Sequence, residues 1–309
     1  MAFQLSDIIE KTRTDPAAFT AECDEAFRLQ IASAAKEILL NRARSPIVLL
    51  SGPSASGKTT TAMLLELELE RLGIETHTVS MDNYYKGGGE LTAPKTPEGK
   101  PDLESPLCLD LPLLAEHFAA LTRGEQVGVP KFDFETQSRV EGAEKPLRLG
   151  EHEVAVFEGI HALNEEIGGG FPEAYRMFVI AGEDILDGDE VLLTSEETRF
   201  LRRMVRDRRY RGATASYTAG LWSNVLRGER EYIQPYAHLA DFRVNSSFAC
   251  EVPVLRREVE PLILNEPDLP SWVRRYAHVV SRFPEIPEEL VAEGSLLREF
   301  LGGGVFKYS

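Results

Sequence analysis

A glycine-rich stretch that begins at Gly52 carries the clearest chemical signal in this 309-residue chain. Residues 52–59 read GPSASGKT and match G-x-x-x-x-G-K-[ST] without departure. Glycines let the backbone wrap a phosphate, so that N–H groups point at it from the start of a helix. Lys58 would reach the β- and γ-phosphates of a nucleotide, and the Thr59 hydroxyl would ligate Mg²⁺. The predicted nucleotide-binding residues in this phosphate loop, or P-loop, are Gly52, Ser54, Ala55, Ser56, Gly57, Lys58, Thr59 and Thr60.

Two carboxylates follow apolar segments at positions where they could act on a bound nucleotide. Asp82 comes directly after a predicted strand, Glu75–Met81, and could accept a proton from a substrate hydroxyl while the loop holds the γ-phosphate in line. The alternative is that Asp82 caps a turn, because the sequence Asp82-Asn83 consists of residue types that favour turns. Glu158 closes the apolar run Val154–Phe157, where an acid binds Mg²⁺ directly or through water. The alternative for Glu158 is a strand-end acid without a role.

Positive charge is concentrated in one short segment of an otherwise acidic chain. Asp207 is the one acid within Arg199–Arg211, and the formal net charge of the whole chain is −16. Such a cluster indicates a specific anionic ligand, although a solvated helix face is the plainer alternative. As a lid with Gly212 as its hinge, this helix would bring guanidinium groups to the transferring phosphoryl group. The arginines in question are Arg199, Arg202, Arg203, Arg206, Arg208, Arg209 and Arg211.

The elements that must position these residues alternate between strands and helices along the chain. This alternation predicts an α/β fold with a mostly parallel β-sheet flanked by helices, whose ligands lie at the carboxyl ends of the strands. The predicted strands are Pro46–Ser51, Glu75–Met81, Val154–Gly159, Arg176–Ala181 and Asp241–Asn245. The predicted helices include Thr59–Leu72, Leu111–Leu121 and Glu196–Arg211. Residues 86–106 are predicted to form a long loop over the site, and residues 128–150 a polar hairpin or loop.

Helical segments are predicted at both ends of the chain. Residues 4–44 show an uneven apolar stripe that Pro16 interrupts, and the last segment reads as helical packing from about Val254. The predicted organisation is an N-terminal helical extension (1–44), a kinase-like P-loop unit (45–250) with a lid helix near 196–212, and a C-terminal helical extension (251–309) packed on the same domain. These additions are candidates for self-association or for covering the sheet.

Taken together and in order, these stretches resemble the uridine kinase and phosphoribulokinase family of P-loop kinases. The matching stretches are Gly52–Thr60, Ser80–Lys86, Val129–Phe134, Phe157–Ile160, the arginine segment from Glu197 to Asp207, and Ala240-Asp241. The C-terminal part is similar to a bacterial uridine-kinase-like subgroup with a longer C-terminal end. The resemblance implies a P-loop NTPase fold and phosphorylation of the 5′-hydroxyl of a nucleoside by ATP with Mg²⁺.

The resemblance also implies roles for individual residues. Asp82 resembles the catalytic base and Tyr85 an aromatic residue of the substrate pocket. Asp102 lies where a family aspartate holds the ribose hydroxyls, and Arg139 where an arginine ends the hairpin stretch. Lys58, Thr59 and Glu158 take nucleotide, Mg²⁺ and substrate roles. The lid contributes Arg199 and Arg203 to catalysis and Arg206 to nucleotide binding.

The hairpin that would contact the base departs from the pyrimidine-nucleoside pattern. Phe132 stands where those kinases have a tyrosine, and Gln137 where they have a histidine. Phe132 loses the phenol hydroxyl, and Gln137 keeps donor and acceptor capacity with a different reach. Both remain predicted substrate-binding residues. A site built to hydrogen-bond one base discriminates steeply when one partner is lost, so purine nucleosides and non-nucleoside acceptors stay open.

Composition restricts the remaining classes. A net charge of −16 disfavours nucleic-acid processing and binding to an anionic membrane surface. Apolar runs of about 18 residues are absent, the start of the chain does not resemble a secretory signal, and the three cysteines have no metal-like spacing. We therefore expect a cytoplasmic enzyme with ATP and a small-molecule acceptor as partners. A P-loop kinase for a sugar or sugar phosphate, or a nucleotide-binding regulator without turnover, are the alternatives.

Overall fold

The computed structural model describes residues 2–87, 93–96, 99–134, 136–266 and 268–307. The strands are β1 (Ala2–Gln4), β2 (Ile47–Ser51), β3 (Glu75–Ser80), β4 (Val127–Val129), β5 (Phe132–Asp133), β6 (Ser138–Arg139), β7 (Lys145–Leu147), β8 (Glu153–Glu158), β9 (Tyr175–Ile180), β10 (Asp184–Asp187), β11 (Glu190–Leu193) and β12 (Phe242–Asn245). The helices are α1 (Leu5–Thr14), α2 (Pro16–Asn41), α3 (Lys58–Arg71), α4 (Leu111–Thr122), α5 (Glu165–Gly168), α6 (Ser195–Arg211), α7 (Ala215–Tyr232), α8 (Glu251–Leu264), α9 (Ser271–Val280) and α10 (Arg298–Leu301).

The central sheet has five strands in the order β12-β9-β2-β8-β3, and all neighbouring strands are parallel. β2 lies in the middle and is buried along its whole length, as expected for a strand covered on both faces. Parallel strands point the same way, so the ends of β2, β3 and β8 meet at one edge. That edge places the P-loop beside Asp82 and Glu158, and the predicted α/β class is confirmed.

Two apolar clusters pack on opposite faces of this sheet. Val48 and Leu50 of β2 belong to the larger cluster, whereas Ile47 and Leu49 belong to the other. This division follows from the two-residue period of a strand, whose successive side chains point to opposite faces. Helices α2, α3, α6 and α8 cover the larger cluster, and α4 covers the smaller one with Phe118. The helices on both faces hold the strand ends in fixed positions.

The terminal segments share the larger cluster with the sheet. α1 and α2 contribute apolar side chains such as Phe27, and the C-terminal part contributes Leu255 and Phe300. The helix break predicted at Pro16 is confirmed, because α1 ends at Thr14 and Pro16 opens α2. The division of the chain at residues 44 and 250 stays a prediction.

Other parts of the fold go beyond the sequence interpretation. β1 pairs in parallel with β10, and β10 pairs antiparallel with β11, so the N-terminal residues join a second, three-stranded sheet. The segment predicted as a polar hairpin or loop forms two separate ladders, β4 with β7 and β5 with β6. Helix α7 was not predicted. Every helix in the described ranges is too short or too polar to traverse a lipid bilayer.

Candidate active site

The P-loop connects the central strand β2 to helix α3. Gly57 has a left-handed backbone (φ 88°), and a Cβ there would lie 2.6 Å from Cδ1 of Leu296. A Cβ on Gly52 would lie 2.4 Å from the carbonyl oxygen of Val179, so only glycine fits at either position. Ala55 also takes a left-handed conformation, with φ 59°. These constraints produce the tight loop around a helix N-terminus that a phosphate cradle requires.

The start of α3 presents the cation and the hydroxyl predicted from the motif. Lys58 Nζ donates to the carbonyl oxygen of Pro53 within the loop at 3.0 Å. Burial lowers the pKa of Lys58, and the carboxylates of Glu158, Glu299 and Asp82 oppose that shift. Lys58 therefore lies in a negatively charged environment, where its ammonium group complements anionic side chains.

Thr59 and Thr60 differ in their surroundings. Thr59 is half-buried, whereas Thr60 is fully buried. The Thr60 N–H and hydroxyl both donate to Oε2 of Glu299, at 3.1 and 2.8 Å. Thr60 was predicted to bind nucleotide, and the structure shows its donors engaged by the C-terminal part of the chain.

Asp82 lies in a short 3-10 turn, Met81–Tyr84, that directly follows β3. Its N–H donates to the Ser80 hydroxyl at 3.3 Å, which fixes the turn, and the residue as a whole is exposed. Desolvation by the surrounding protein raises the pKa of Asp82, and the cations Lys58, Arg211 and Arg206 oppose the shift. The Asp82 carboxylate thus belongs to the same electrostatic cluster as Lys58.

Glu158 ends β8 and is 9% exposed. Burial raises its pKa to about 7, with further increases from Asp82 and Glu299, whereas Lys58 and the Ser80 hydroxyl lower it. A cation beside such a buried carboxylate stabilises its ionised form. The Thr59 hydroxyl and the Glu158 carboxylate are the hard oxygen donors that Mg²⁺ prefers, so the chemistry of the donor set fits the predicted metal.

Helix α6 is an ordinary, well-capped helix whose arginines reach the P-loop. Thr194 and Glu197 form a capping box at its start, and Gly212 (φ 61°) ends it. Nη1 of Arg199 donates to the Ser54 carbonyl at 3.0 Å, and Nη1 of Arg203 to the Ser54 hydroxyl at 2.9 Å. Helix α6 therefore contacts the P-loop directly, and the role of its arginines at a nucleotide stays a prediction.

The arginines of α6 carry different partners. Arg199 is 4% exposed and pairs with Glu229 at 2.9 Å, and Arg203 pairs with Asp207 at 3.2 Å. Nη2 of Arg206 lies 3.6 Å from Asp207, and its buried Nε has no hydrogen-bond partner among the described residues. Arg206 also influences the pKa values of Lys58 and Asp82. Arg206 therefore adds positive charge to the cluster that contains Lys58 and Asp82.

An aromatic cluster lies beside Asp82 on the predicted acceptor side. The rings of Tyr85 and Phe132 have centroids 5.7 Å apart, and Phe134 lies 6.2 Å from Tyr85. The Phe132 N–H donates to Oδ1 of Asn83 at 3.1 Å, which ties β5 to the Asp82 turn. Tyr85 and Phe132 are therefore brought together as the prediction requires.

Arg139 and Gln137 take different places in the small β5–β6 ladder. Arg139 donates to the carbonyl oxygens of Tyr84 and Tyr85 and pairs with Asp110 at 3.0 Å, so it fixes the Asp82 turn. Gln137 lies at the tip, exposed and in a left-handed conformation (φ 50°). Arg139 therefore contacts the backbone beside Asp82, whereas Gln137 is exposed, and substrate binding by either residue stays a prediction.

Asp102 is 2% exposed and fully engaged. Its two oxygens accept from Nη2 and Nη1 of Arg227 at 2.6 and 3.1 Å, and the Tyr232 hydroxyl donates to it at 2.8 Å. Burial opposes ionisation, but these hydrogen bonds leave the pKa of Asp102 lowered. The two partners come from α7, which sequence reasoning did not predict.

His161 and Glu104 lie in the same region and were not predicted site residues. His161 is 2% exposed, and neither ring nitrogen has a partner among the described residues. Burial lowers the pKa of His161 to about 4, so it is neutral at pH 7. Burial raises the pKa of Glu104, and the charge of Arg203 opposes this shift. A Cβ on Gly228 would lie 2.4 Å from Glu104, so α7 approaches this loop as closely as glycine allows.

Several known proteins are similar to this chain. A sequence profile described as "Phosphoribulokinase / Uridine kinase family" matches residues 47–252. A uridine kinase of Macrococcus caseolyticus is 26% identical over 224 residues, covering 71% of this chain and 98% of that protein. A uridine kinase of Listeria innocua is 28% identical over 202 residues, covering 64% and 86%. A solved D-glycerate 3-kinase from Cryptococcus neoformans is similar with a TM-score of 0.47 and 17% identity, covering 67% of this chain and 89% of its own.

The profile spans more than half of the chain, and its residues carry the P-loop, Asp82, Glu158 and the arginines of α6. The family uses ATP to phosphorylate small-molecule hydroxyl groups, and the predicted enzyme class is thereby confirmed. The chain belongs to the phosphoribulokinase and uridine kinase family and is a P-loop kinase that phosphorylates a hydroxyl group.

Proposed function

We propose that this kinase transfers the γ-phosphoryl group of ATP to the 5′-hydroxyl of a nucleoside. The observation that carries the proposal is the cluster of Asp82, Lys58 and Glu158 at the carboxyl edge of the sheet, beside the aromatic pair Tyr85–Phe132. A base, a phosphate cradle and a flat apolar wall are what nucleoside phosphorylation needs. Relatives named uridine kinase, matched over nearly their whole length, support the choice of acceptor class.

On the nucleotide side, the P-loop backbone would hold the phosphates with Lys58 on the β- and γ-groups. Arg199 and Arg203 reach Ser54 of the loop and would supply positive charge as the phosphoryl group transfers. Arg206, with its buried and unpartnered Nε, would contact a phosphate oxygen. These contacts position ATP and neutralise the charge that develops in the transition state.

The Thr59 hydroxyl and Glu158 would hold Mg²⁺. When bound, the ion supplies positive charge to the β- and γ-phosphates. Glu158 itself is nearly buried, and a neighbouring cation favours its ionised form. Asp82 is exposed at the mouth of the site and would take the proton of the attacking hydroxyl.

On the acceptor side, Tyr85 and Phe132 would stack on the base, and Gln137 would contact its edge. Asp102 would hold the ribose hydroxyls, with Arg227 and Tyr232 orienting its carboxylate. Arg139 would keep the Asp82 turn in place through the carbonyls of Tyr84 and Tyr85. We place this work in the cytoplasm, where ATP and free nucleosides are available.

A second candidate acceptor is a sugar or another small polyol. The observation that favours it is the engagement of both Asp102 oxygens by Arg227 and Tyr232, which leaves few lone pairs for a ribose. The chemistry at Asp82 and Lys58 would be the same for such an acceptor.

The test is an ATP-consumption screen with Mg²⁺ against nucleosides, sugars and sugar phosphates, together with a variant pair at exposed glutamines. Turnover confined to nucleosides supports the proposal. Gln137→His should then change the ratio of kcat/KM values for uridine and other nucleosides, whereas Gln126→His on an exposed loop should not. Turnover confined to sugars would select the second candidate. ATP binding without turnover on any acceptor would indicate a regulatory protein.

A further inference from the structure

The C-terminal segment Ser295–Gly302 packs directly against the P-loop. Leu296, Leu297 and Phe300 are at most 1% exposed and belong to the main apolar cluster. Leu296 lies against Gly57, where even a Cβ would not fit. The family profile ends at residue 252, so this contact lies outside the part of the chain that the profile matches.

One side chain of this segment reaches the start of α3. Glu299 is 5% exposed, and its Oε2 accepts both the N–H and the hydroxyl of Thr60, at 3.1 and 2.8 Å. The first intrahelical bond of α3 runs from the Thr61 N–H to the Gly57 carbonyl oxygen. The Thr60 N–H is therefore one of the first-turn donors that a helix offers to an external anion.

The charge of Glu299 acts within the phosphate site itself. It raises the pKa of Lys58, which reaches toward the β- and γ-phosphates, and that of Glu158. Successive N–H groups of the loop and first turn cradle the α- and β-phosphates in this motif. Glu299 thus places a negative oxygen on two donors that a bound triphosphate needs, and the two anions exclude each other.

We propose that the Glu299 carboxylate is an internal competitor of ATP, occupying the Thr60 donors until the nucleotide displaces it. The C-terminal segment then sets the affinity for ATP, because binding must break a charge-assisted contact that stabilises the empty loop. This inference rests on the proposed ATP binding at the P-loop and is independent of the acceptor.

The segment around Glu299 is anchored, so the displacement involves the side chain and not the whole segment. Arg298 donates to the carbonyl oxygens of Glu288, Val291 and Gly302. The guanidinium carbon of Arg202 lies 5.1 Å from the centre of the Phe300 ring. These contacts hold α10 in the core on both sides of Glu299, so the proposed displacement would be a rotation of the Glu299 side chain alone.

The test measures equilibrium binding of ATP without acceptor, using the full chain. Glu299→Gln keeps the shape and removes the charge, and it should tighten ATP binding by about tenfold. Glu293→Gln is the matched control, because it removes the same charge from an exposed position two residues before this segment, and its affinity should equal that of the parent. Pyrophosphate, the probe for the β- and γ-positions, should gain less than ATP from Glu299→Gln, because the Thr60 donors act on the part of the nucleotide that it lacks.

Each result decides the matter, provided that the thermal unfolding profile shows a folded variant. Unchanged or weaker ATP binding by Glu299→Gln would overturn the proposal and make Glu299 a support of the loop. An equal gain for pyrophosphate would also overturn it, because long-range charge would then account for the effect. Failure of all variants and of the parent to bind ATP would instead refute the nucleotide site on which the proposed function depends. ATP binding by Glu299→Gln, with none by the parent or by Glu293→Gln, would strongly support Glu299 as a competitor of ATP.

Discussion

In the proposed function, Asp82 is the general base that takes the proton of the attacking hydroxyl. Asp82 lies in a tight turn in which its own N–H donates to the Ser80 hydroxyl, and desolvation raises the pKa of its carboxylate against the opposing effect of the Lys58 charge. A general base contributes roughly 10²–10⁴-fold to a proton-transfer step. We expect Asp82→Asn to lower kcat by that factor with little change in ATP affinity, measured by steady-state kinetics and nucleotide binding.

The matched control for this prediction is Asp189→Asn, in the exposed turn between β10 and β11. It removes the same charge far from the P-loop and should leave kcat unchanged. A near-normal kcat for Asp82→Asn would show that another group takes the proton, and the turn-cap interpretation of Asp82 would then hold.

His161 makes stability depend on pH. Burial lowers its pKa from about 6.5 to about 4, with Lys58 adding to the shift and the Glu104 backbone and Asp102 opposing it. The unfolded chain therefore binds a proton that the folded chain refuses between those pH values. Stability from this group is complete above pH 6.5 and is lost as pH falls toward 4, by at most about 3 kcal/mol.

This dependence is checked by urea unfolding at pH 7 and pH 4.5 for the parent and for His161→Leu. The variant should lose less stability than the parent on acidification, because it has no proton to take up. His152→Leu, at an exposed position, should lose as much as the parent. An identical pH dependence in the parent and His161→Leu would mean that His161 is hydrated or protonated in the folded state.

Much of the site was accessible from the sequence because its parts are local. The P-loop residues are contiguous, and Asp82 and Glu158 each end a strand, so strand order alone brings them together. The surroundings of Asp102 could not be predicted from the sequence. Its partners Arg227 and Tyr232 lie 125 and 130 residues away in sequence, and no spacing rule connects them.

In the proposed function, helix α6 serves the nucleotide and helix α7 serves the acceptor. α6 was predicted from its arginines, and its capping box and Gly212 mark both ends. α7 carries Arg227 and Tyr232 to Asp102, while Gly228 allows the close approach of Glu104. Helix α7 was not predicted because its buried face includes Thr218, Gly228 and Glu229, so an apolar stripe alone does not mark it.

The role of α7 is tested by Arg227→Gln. This change leaves the buried Asp102 carboxylate without its charged partner, so its orientation toward an acceptor is lost. If Asp102 binds the acceptor, KM for the acceptor should rise about tenfold or more, while the dissociation constant of ATP stays near the parent value.

Arg230→Gln serves as the control, since Arg230 is exposed on the same helix. It should change neither constant. A loss of thermal stability without a change in the acceptor KM would assign the Asp102–Arg227 pair to the fold alone. The prediction that Asp102 holds ribose would then be wrong.

At the level of the complete chain, the terminal segments are continuous with the catalytic core. Their apolar side chains join the same cluster as the central strands, and the C-terminal part touches the P-loop at Gly57 and Thr60. Apolar periodicity predicted helices in both regions. The three-stranded β1–β10–β11 sheet was not predictable, because β1 has three residues and pairs with a strand near Asp184.

A buried ion pair connects these regions, and it provides the last prediction. Arg202 of α6 is 0% exposed and pairs with Glu251 of α8, while it also donates to the carbonyl oxygens of Ala55 and Ser246. Arg202→Met would leave the Glu251 carboxylate buried and unpaired. We expect a loss of about 3–5 kcal/mol in the free energy of unfolding, measured with urea.

Glu251→Leu added to Arg202→Met should recover part of that loss, because no charge then remains buried. Arg71→Met removes the exposed pair with Glu68 and should cost less than about 1 kcal/mol. A double variant as unstable as Arg202→Met alone would show that the carbonyl contacts of Arg202 dominate. In either case, the loss in free energy of unfolding measures how strongly α6, the P-loop and the C-terminal part are coupled. The proposed replacement of Glu299 by ATP at Thr60 requires this packing to stay intact.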